Sequence, residues 1–269
     1  MVGTVRIVLL GSGNVATNMA LAMQKVGMNI IQVYSRTMLH ARRLAACVAA
    51  APVDVLRALS SDADLYLYAL TDTALPDVVS QMPRVEGLHV HTAGSVPMNV
   101  FEGKQCNYGV LYPLQTFSRK KRVNMADVPL FLEANTTRNM QTLRQIAECV
   151  SHSVHCADFV QRQALHLAGV FANNFSNALC GIAQQLLAEH HLPFEVLLPL
   201  LHEQVEKLCT LAPVSAQTGP ACRGDKTVIN RQLQELQAHP EWQAIYRLMT
   251  KEIERQQTEE VKNKISIVL

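Results

Sequence analysis

The N-terminus runs straight into a strand-like apolar stretch, Val5–Leu10, followed by Gly11-Ser12-Gly13-Asn14-Val15-Ala16. This is GxGxxA between a strand and a helix, and no other segment limits the fold so tightly. Gly11 allows the tight turn. Gly13 has no Cβ, so a pyrophosphate can approach the backbone. Ala16 lets the helix pack closely on the strand. The helix, expected over Val15–Val26, points its free N–H groups and its positive end at such a ligand. Gly27 supplies a left-handed C-cap. The alternative is an ordinary strand–helix turn that binds no nucleotide.

The rest of the first half repeats this pattern. Apolar runs at Ile30–Tyr34, Leu65–Leu70, Leu88–Thr92, Val110–Leu111, Pro129–Leu132 and Ser153–Cys156 are continuous rather than alternating. Buried parallel strands read this way. With helices at Val15–Val26 and Leu39–Ala49, the order implies a doubly wound, mostly parallel α/β sheet, a Rossmann domain over residues 1–158. From Phe159 the texture changes to Leu, Ala, Gln and Glu, and residues 159–269 read as an all-α domain. Phe159–Glu189 carries almost no charge after Arg162, so that helix is buried or lies in an interface. Further helices are expected from Pro193 to about Leu211, over Lys226–Gln237 and over Trp242–Gln257. Ile265–Leu269 reads as a terminal strand or docking tail.

Composition removes several classes. The 24 basic and 22 acidic residues leave a net charge of +2, unlike a dedicated nucleic-acid binder. No apolar run is long enough to span a bilayer, and no cleavage-site pattern marks a signal peptide. Seven scattered cysteines without a CxxC pair exclude a disulfide scaffold and a zinc ribbon. They fit a reducing compartment, so a cytoplasmic location is expected. The ten histidines include no HExxH, and no metal is expected. His89 and His91 alternate on one strand, which suits a metal pair or, without a third ligand, a packed pair.

The end of the second strand bears on the cofactor. An NAD site places an acid there for the ribose 2′-OH. No acid occurs between Ala16 and Asp54; Ser35, Arg36 and Thr37 stand there instead, then Arg42 and Arg43. Hydroxyls and a guanidinium suit a 2′-phosphate, which favours NADP. Arg42 and Arg43 read equally as a solvated face. Two further strand ends, Leu70-Thr71-Asp72 and His91-Thr92-Ala93-Gly94, would line the ribose and nicotinamide, with N-capping of the next helix as the structural role for Asp72. Tyr112-Pro113-Leu114-Gln115-Thr116-Phe117 would roof the pocket. Arg119-Lys120-Lys121-Arg122 reads as a solvated loop or as a contact to an anion.

In the helical half, His166, Asn173 and Asn177 are 7 and 4 apart, which puts them on one helix face. The loop Thr218-Gly219-Pro220-Ala221-Cys222-Arg223-Gly224-Asp225 precedes a helix that Asp225 would cap. These stretches, with Gly11–Ala16, Ser35-Arg36, Tyr112–Phe117, His166 and Asn174-Phe175, carry a resemblance. The chain resembles Rossmann-like NADP-binding proteins of uncharacterised function with a helical C-terminal domain of the 6-phosphogluconate dehydrogenase type. More distantly it is similar to pyrroline-5-carboxylate reductases and deazaflavin-dependent NADP oxidoreductases. The resemblance implies an NADP domain, a helical second domain and a homodimer formed through it.

The chain also departs from its relatives. Members often carry His where this chain has Tyr112. Related hydroxyacid dehydrogenases place a Lys four residues before the helix Asn; counted from Asn174 that position is Val170, and no lysine lies between Lys121 and Lys207. His166 is left as candidate proton donor, with Asn174 to orient a substrate. The expected activity is NADP(H)-dependent hydride transfer to or from a small polar carbonyl or imine in the interdomain cleft. The rival is a non-catalytic NADP(H)-binding sensor or regulatory protein.

Overall fold

A computed structural model describes residues 4–118 and 121–268, with side chains to residue 260. The chain divides into two compact units, residues 1–175 and 176–269.

The first unit is built on one eight-stranded sheet. In chain order its elements are β1 (Arg6–Leu10), α1 (Asn14–Lys25), β2 (Asn29–Tyr34), α2 (Met38–Cys47), β3 (Ala51–Val53), β4 (Leu65–Tyr68), α3 (Leu75–Gln81), β5 (Leu88–His91), β6 (Tyr108–Pro113), β7 (Leu130–Ala134), α4 (Thr137–Val150), β8 (Val154–Cys156) and α5 (Phe159–Gly169). The spatial order is β3-β2-β1-β4-β5-β6-β7-β8. Every pairing is parallel except β6 with β7. The order reverses between β1 and β4, and ligands of such sheets gather outside the carboxyl ends of the strands at this point.

The apolar runs become strands because both faces of the sheet are covered. Ile7, Leu9, Leu65 and Leu67 pack on one side with Met19, Ala20 and Leu143. Val8, Leu10, Tyr66 and Tyr68 pack on the other with Leu75, Val79 and Phe101. His89 and His91 are fully buried, so the packed alternative describes them. His89 stacks on Tyr66 with ring centroids 4.6 Å apart, and its Nδ1 meets Tyr68 Oη at 2.9 Å. Burial pushes His89 down to about 4; burial, then the Arg162 charge, pushes His91 down to about 3.

Several expectations need correction. The structure adds β3, α3 and α4, which were not assigned from sequence. Asp72 does not cap α3: Ala74 holds the N-cap position, and the Asp72 carboxylate accepts from Ser95 Oγ. The long helix forms over residues 159–189 as expected, but it is not α-helical throughout. A π-helical turn over Val170–Phe175 separates α5 from α6 (Ser176–Glu189). Within the chain it is not buried, which leaves the interface alternative: Val160, Leu167, Phe171 and Phe175 are all exposed, and only Arg162 of α5 is fully enclosed.

The second unit is helical. After α6 come a 3-10 turn at Phe194–Leu197, α7 (Leu198–Leu208), two short turns α8 (Pro213–Ala216) and α9 (Pro220–Arg223), α10 (Lys226–Glu235) and α11 (Pro240–Val268). Asp225 caps α10 by accepting from Val228 N at 3.1 Å. The terminal strand expected at Ile265–Leu269 does not form: α11 runs to Val268, and Leu269 lies outside the described residues. Arg119 and Lys120 also lie outside them.

Candidate functional site

The turn after β1 is shaped by two glycines with different jobs. Gly11 has φ +123°, and a Cβ there would sit 2.1 Å from the Ala69 carbonyl oxygen. That position admits only glycine, because the turn crosses directly over the end of β4. Its N–H donates to Tyr34 O at 2.9 Å, which ties the turn to β2 as well. Gly13 is the opposite case: a Cβ there would meet nothing within 4 Å. Gly13 is the N-cap of α1, no side chain caps the helix, and its first turn holds no acid. Free amide donors therefore face open space at the positive end of a 12-residue helix. These residues fit a dinucleotide pyrophosphate. Val15 is half-buried, and Ala16 is buried against the sheet core.

Ser12 Oγ donates to Ser35 Oγ at 3.0 Å, so the turn and the end of β2 share one polar edge. Arg36 and Thr37 are exposed beside it. The Thr37 carbonyl accepts from His40 N and Ala41 N and starts α2. Asn14 Nδ2 donates to Phe117 O at 3.0 Å.

The next two strand ends also meet. Gly11 approaches Leu70, whose Cδ2 would lie 3.5 Å from a Cβ there. Thr71 O accepts from the N–H groups of Ala74 and Leu75 to open α3. Asp72 bonds Ser95, one residue beyond Gly94 at the end of β5. Ala93 is buried, and its N–H donates to His91 Nδ1 at 3.2 Å.

Sequence reasoning treated Tyr112 as pocket roof and His166 as an isolated donor. They form a pair, Tyr112 Oη to His166 Nδ1 at 3.2 Å. Gly94 makes the pairing possible: a Cβ there would stand 3.0 Å from the Tyr112 ring and 3.2 Å from His166 Cβ. Burial raises the Tyr112 phenol, the Asp72 charge raises it further, and Arg162 opposes both. Arg162 was missed as a site residue. It is fully buried, ion-paired with Glu133, and donates to Val96 O at 2.9 Å. Its position in a helix with few other charges was the available signal.

The π turn alters the expected polar stripe. Hydrogen bonds of the i→i+5 type insert one residue per turn. A face that continues seven residues on in an α-helix then continues eight residues on. Asn173 and Asn174 both lie in this turn, so a spacing of seven no longer places Asn173 on the His166 face by itself. Asn177 lies in the other unit.

A doubly wound sheet with a glycine turn at its switch point, followed by a helical unit, defines a Rossmann-type nucleotide-binding protein. Residues 6–91 match the family described as NADP oxidoreductase coenzyme F420-dependent, and residues 128–253 match a domain of unknown function, DUF2520. A Bacteroides fragilis protein assigned as an NADP oxidoreductase is 44% identical, with a TM-score of 0.87 over 93% of this chain and 98% of that one. The chain belongs to the same family as this Bacteroides fragilis protein. A pyrroline-5-carboxylate reductase from Streptococcus pyogenes shares the fold at 11% identity, with a TM-score of 0.66 over 93% and 98% of the two chains. An imine reductase from Streptomyces aurantiacus does so at 15% identity, with a TM-score of 0.66 over 93% of each chain. No curated protein matches the sequence.

Proposed function

We propose that this NADP oxidoreductase transfers hydride to or from a small polar carbonyl or imine, and that Tyr112 and His166 handle the proton. NADPH, when bound, supplies the hydride. Gly11, Ser12, Gly13, Asn14, Val15 and Ala16 would hold its pyrophosphate. Ser35, Arg36 and Thr37 would hold the 2′-phosphate, and Leu70, Thr71, Asp72, Ala93 and Gly94 the ribose and nicotinamide side.

The 3.2 Å contact between Tyr112 Oη and His166 Nδ1 carries the reading. A buried phenol with a raised pKa keeps its proton at neutral pH and can donate it to the oxygen or nitrogen of a reduced substrate. The exposed imidazole beside it can return that proton from solvent. Arg162 favours the phenolate left behind. Asn174 has an amide suited to orienting a polar substrate. An imine needs little more than this, because its protonated form is already electrophilic.

The nucleotide-binding part is assigned to residues 1–158 and the substrate and dimer part to 159–269. Leu200, Val205 and Leu248 of the helical unit are each more than 60% exposed. Apolar surface on that scale fits a homodimer formed through these helices.

The test is calorimetric titration with NADPH and NADH, beside Arg36→Ala, followed by a screen of small carbonyls and imines for NADPH oxidation. The expected result is a preference for NADPH that Arg36→Ala removes. A substrate found in the screen should lose 10²- to 10⁴-fold in kcat with Tyr112→Phe while NADPH affinity holds. Absence of nucleotide binding would sink the reading. Binding without turnover across the screen, with Tyr112→Phe silent, would favour the sensor alternative.

A further inference from the structure

A second basic site sits beside the glycine turn. A cavity of about 240 Å³ opens between α1, α2 and the connection from β6 to β7. Its polar lining includes Ser12, Thr17, His40, Arg43, Ser118 and Arg122. These residues come from three separate segments, and no lining residue is acidic. Among the described residues neither Arg43 nor Arg122 has an ion-pair partner.

The β6–β7 connection reaches this place because it is pinned at two points. Asn14 Nδ2 donates to Phe117 O at 3.0 Å, and Val123 N donates to Asn18 Oδ1 at 3.4 Å. Phe117 and Val123 both pack against the sheet core. Between these anchors, Lys121 N donates to Ser118 Oγ at 3.1 Å. Arg122, at the end of this segment, lines the same cavity as Arg43.

Ser12 joins the cavity to the edge it shares with Ser35. A cationic hollow continuous with the end of β2 is complementary to a dianionic phosphate ester. We infer that Arg43 and Arg122 complete the subsite for the adenosine 2′-phosphate of NADP(H), and that Arg122 is a specificity-determining residue for NADP(H) over NAD(H). This rests on the nucleotide reading above and extends it to a segment 86 positions beyond Arg36.

The experiment is calorimetric titration of the intact protein with 2′,5′-ADP and with 5′-AMP. The two fragments differ only in the 2′-phosphate. Wild type is compared with Arg122→Gln, Arg43→Gln and Lys121→Gln. Arg122→Gln and Arg43→Gln should each weaken 2′,5′-ADP about tenfold, as expected for one charge-assisted contact, and leave 5′-AMP within about twofold. Lys121→Gln removes the same charge outside the cavity and should change neither. Both arginines are exposed, so melting temperatures should hold. The inference stands or falls on Arg122. Unchanged 2′,5′-ADP affinity in Arg122→Gln, parallel loss of both fragments, or an equal loss in Lys121→Gln would overturn it while wild-type NADPH binding leaves the proposed function intact. A wild type that binds neither NADPH nor 2′,5′-ADP would remove both.

Discussion

The two units treat apolar side chains in opposite ways. In the sheet unit the strands bury what they carry: Ile7 to Leu10 and Leu65 to Tyr68 are closed to solvent. In the helical unit, among the described residues, only Ile229 and Leu233 are buried. Leu200, Val205 and Leu248 stand in the open. The apolar pattern of the first half is satisfied within one chain. The pattern of the second half is not satisfied among the described residues of the helical unit, and this is the observation behind the proposed second copy. A run of leucines thus signals burial, but does not say in whose core.

Charged pairs give the largest test of that contrast. Arg162 is fully buried against Glu133 and Val96 O. Arg162→Met leaves the Glu133 carboxylate, itself mostly buried, without its partner. Denaturant unfolding should show a loss of about 3–5 kcal/mol. In the helical unit Arg255 pairs with Glu252 and Glu259 at 2.7 Å on an exposed face. Arg255→Met should leave the unfolding midpoint where it was. Equal losses would erase the contrast between the units.

Assembly comes next. Leu200→Glu with Val205→Glu places two charges on α7 where side chains are already exposed. Light scattering should show a fall from dimer to monomer, with helical content retained. Leu67→Glu buries one charge within β4 and should abolish folding. A double variant that stays dimeric would move the interface elsewhere. A wild type that is monomeric would remove it.

Acid sensitivity should track the sheet unit. His89 and His91 are buried neutral, pushed down to about 4 and about 3 from an ordinary 6.5. Above pH 6.5 neither folded nor unfolded chain is protonated there, and this contribution to stability is complete. As pH falls below 6.5 the unfolded chain takes up protons that the folded chain refuses. Each histidine then removes about 1.4 kcal/mol per pH unit until the folded values are reached. His89→Gln should reduce the slope of stability against pH between 6 and 4.5. An unchanged slope would show that His89 is charged inside the fold.

Much of the sheet unit was legible because its signals are local. Val5–Leu10 and Leu65–Leu70 announce buried strands, and Gly11–Ala16 announces the turn between β1 and α1. Ala51-Pro52-Val53 was not read as β3, since three residues with a central proline carry no period and pair only at the sheet edge. The capping of α10 by Asp225 could be read; the π turn at Val170–Phe175 could not, as no local residue choice signals an inserted bond. The site was half legible. Each strand end points at it from sequence alone. Pairings across the chain, such as Tyr112 with His166, depend on which strand ends the topology brings together. The antiparallel β7 and the anchored connection before it are properties of the assembled sheet.

The smallest effect separates poor helices from unpartnered ones. Thr136 caps α4 in the sheet unit by accepting from Asn139 N at 3.1 Å, and Asp225 caps α10 in the helical unit by accepting from Val228 N at 3.1 Å. A cap acts on its own first turn, whatever covers the helix later. Thr136→Ala and Asp225→Ala should each cost about 1 kcal/mol by denaturant unfolding. Equal costs would mean that the helices of the second unit are as well formed locally as those of the first, so that their exposed leucines reflect a missing partner. A negligible cost at Asp225 alone would mean that α10 frays in the isolated chain, and the exposure there would then belong to a loosely folded helix instead of an interface.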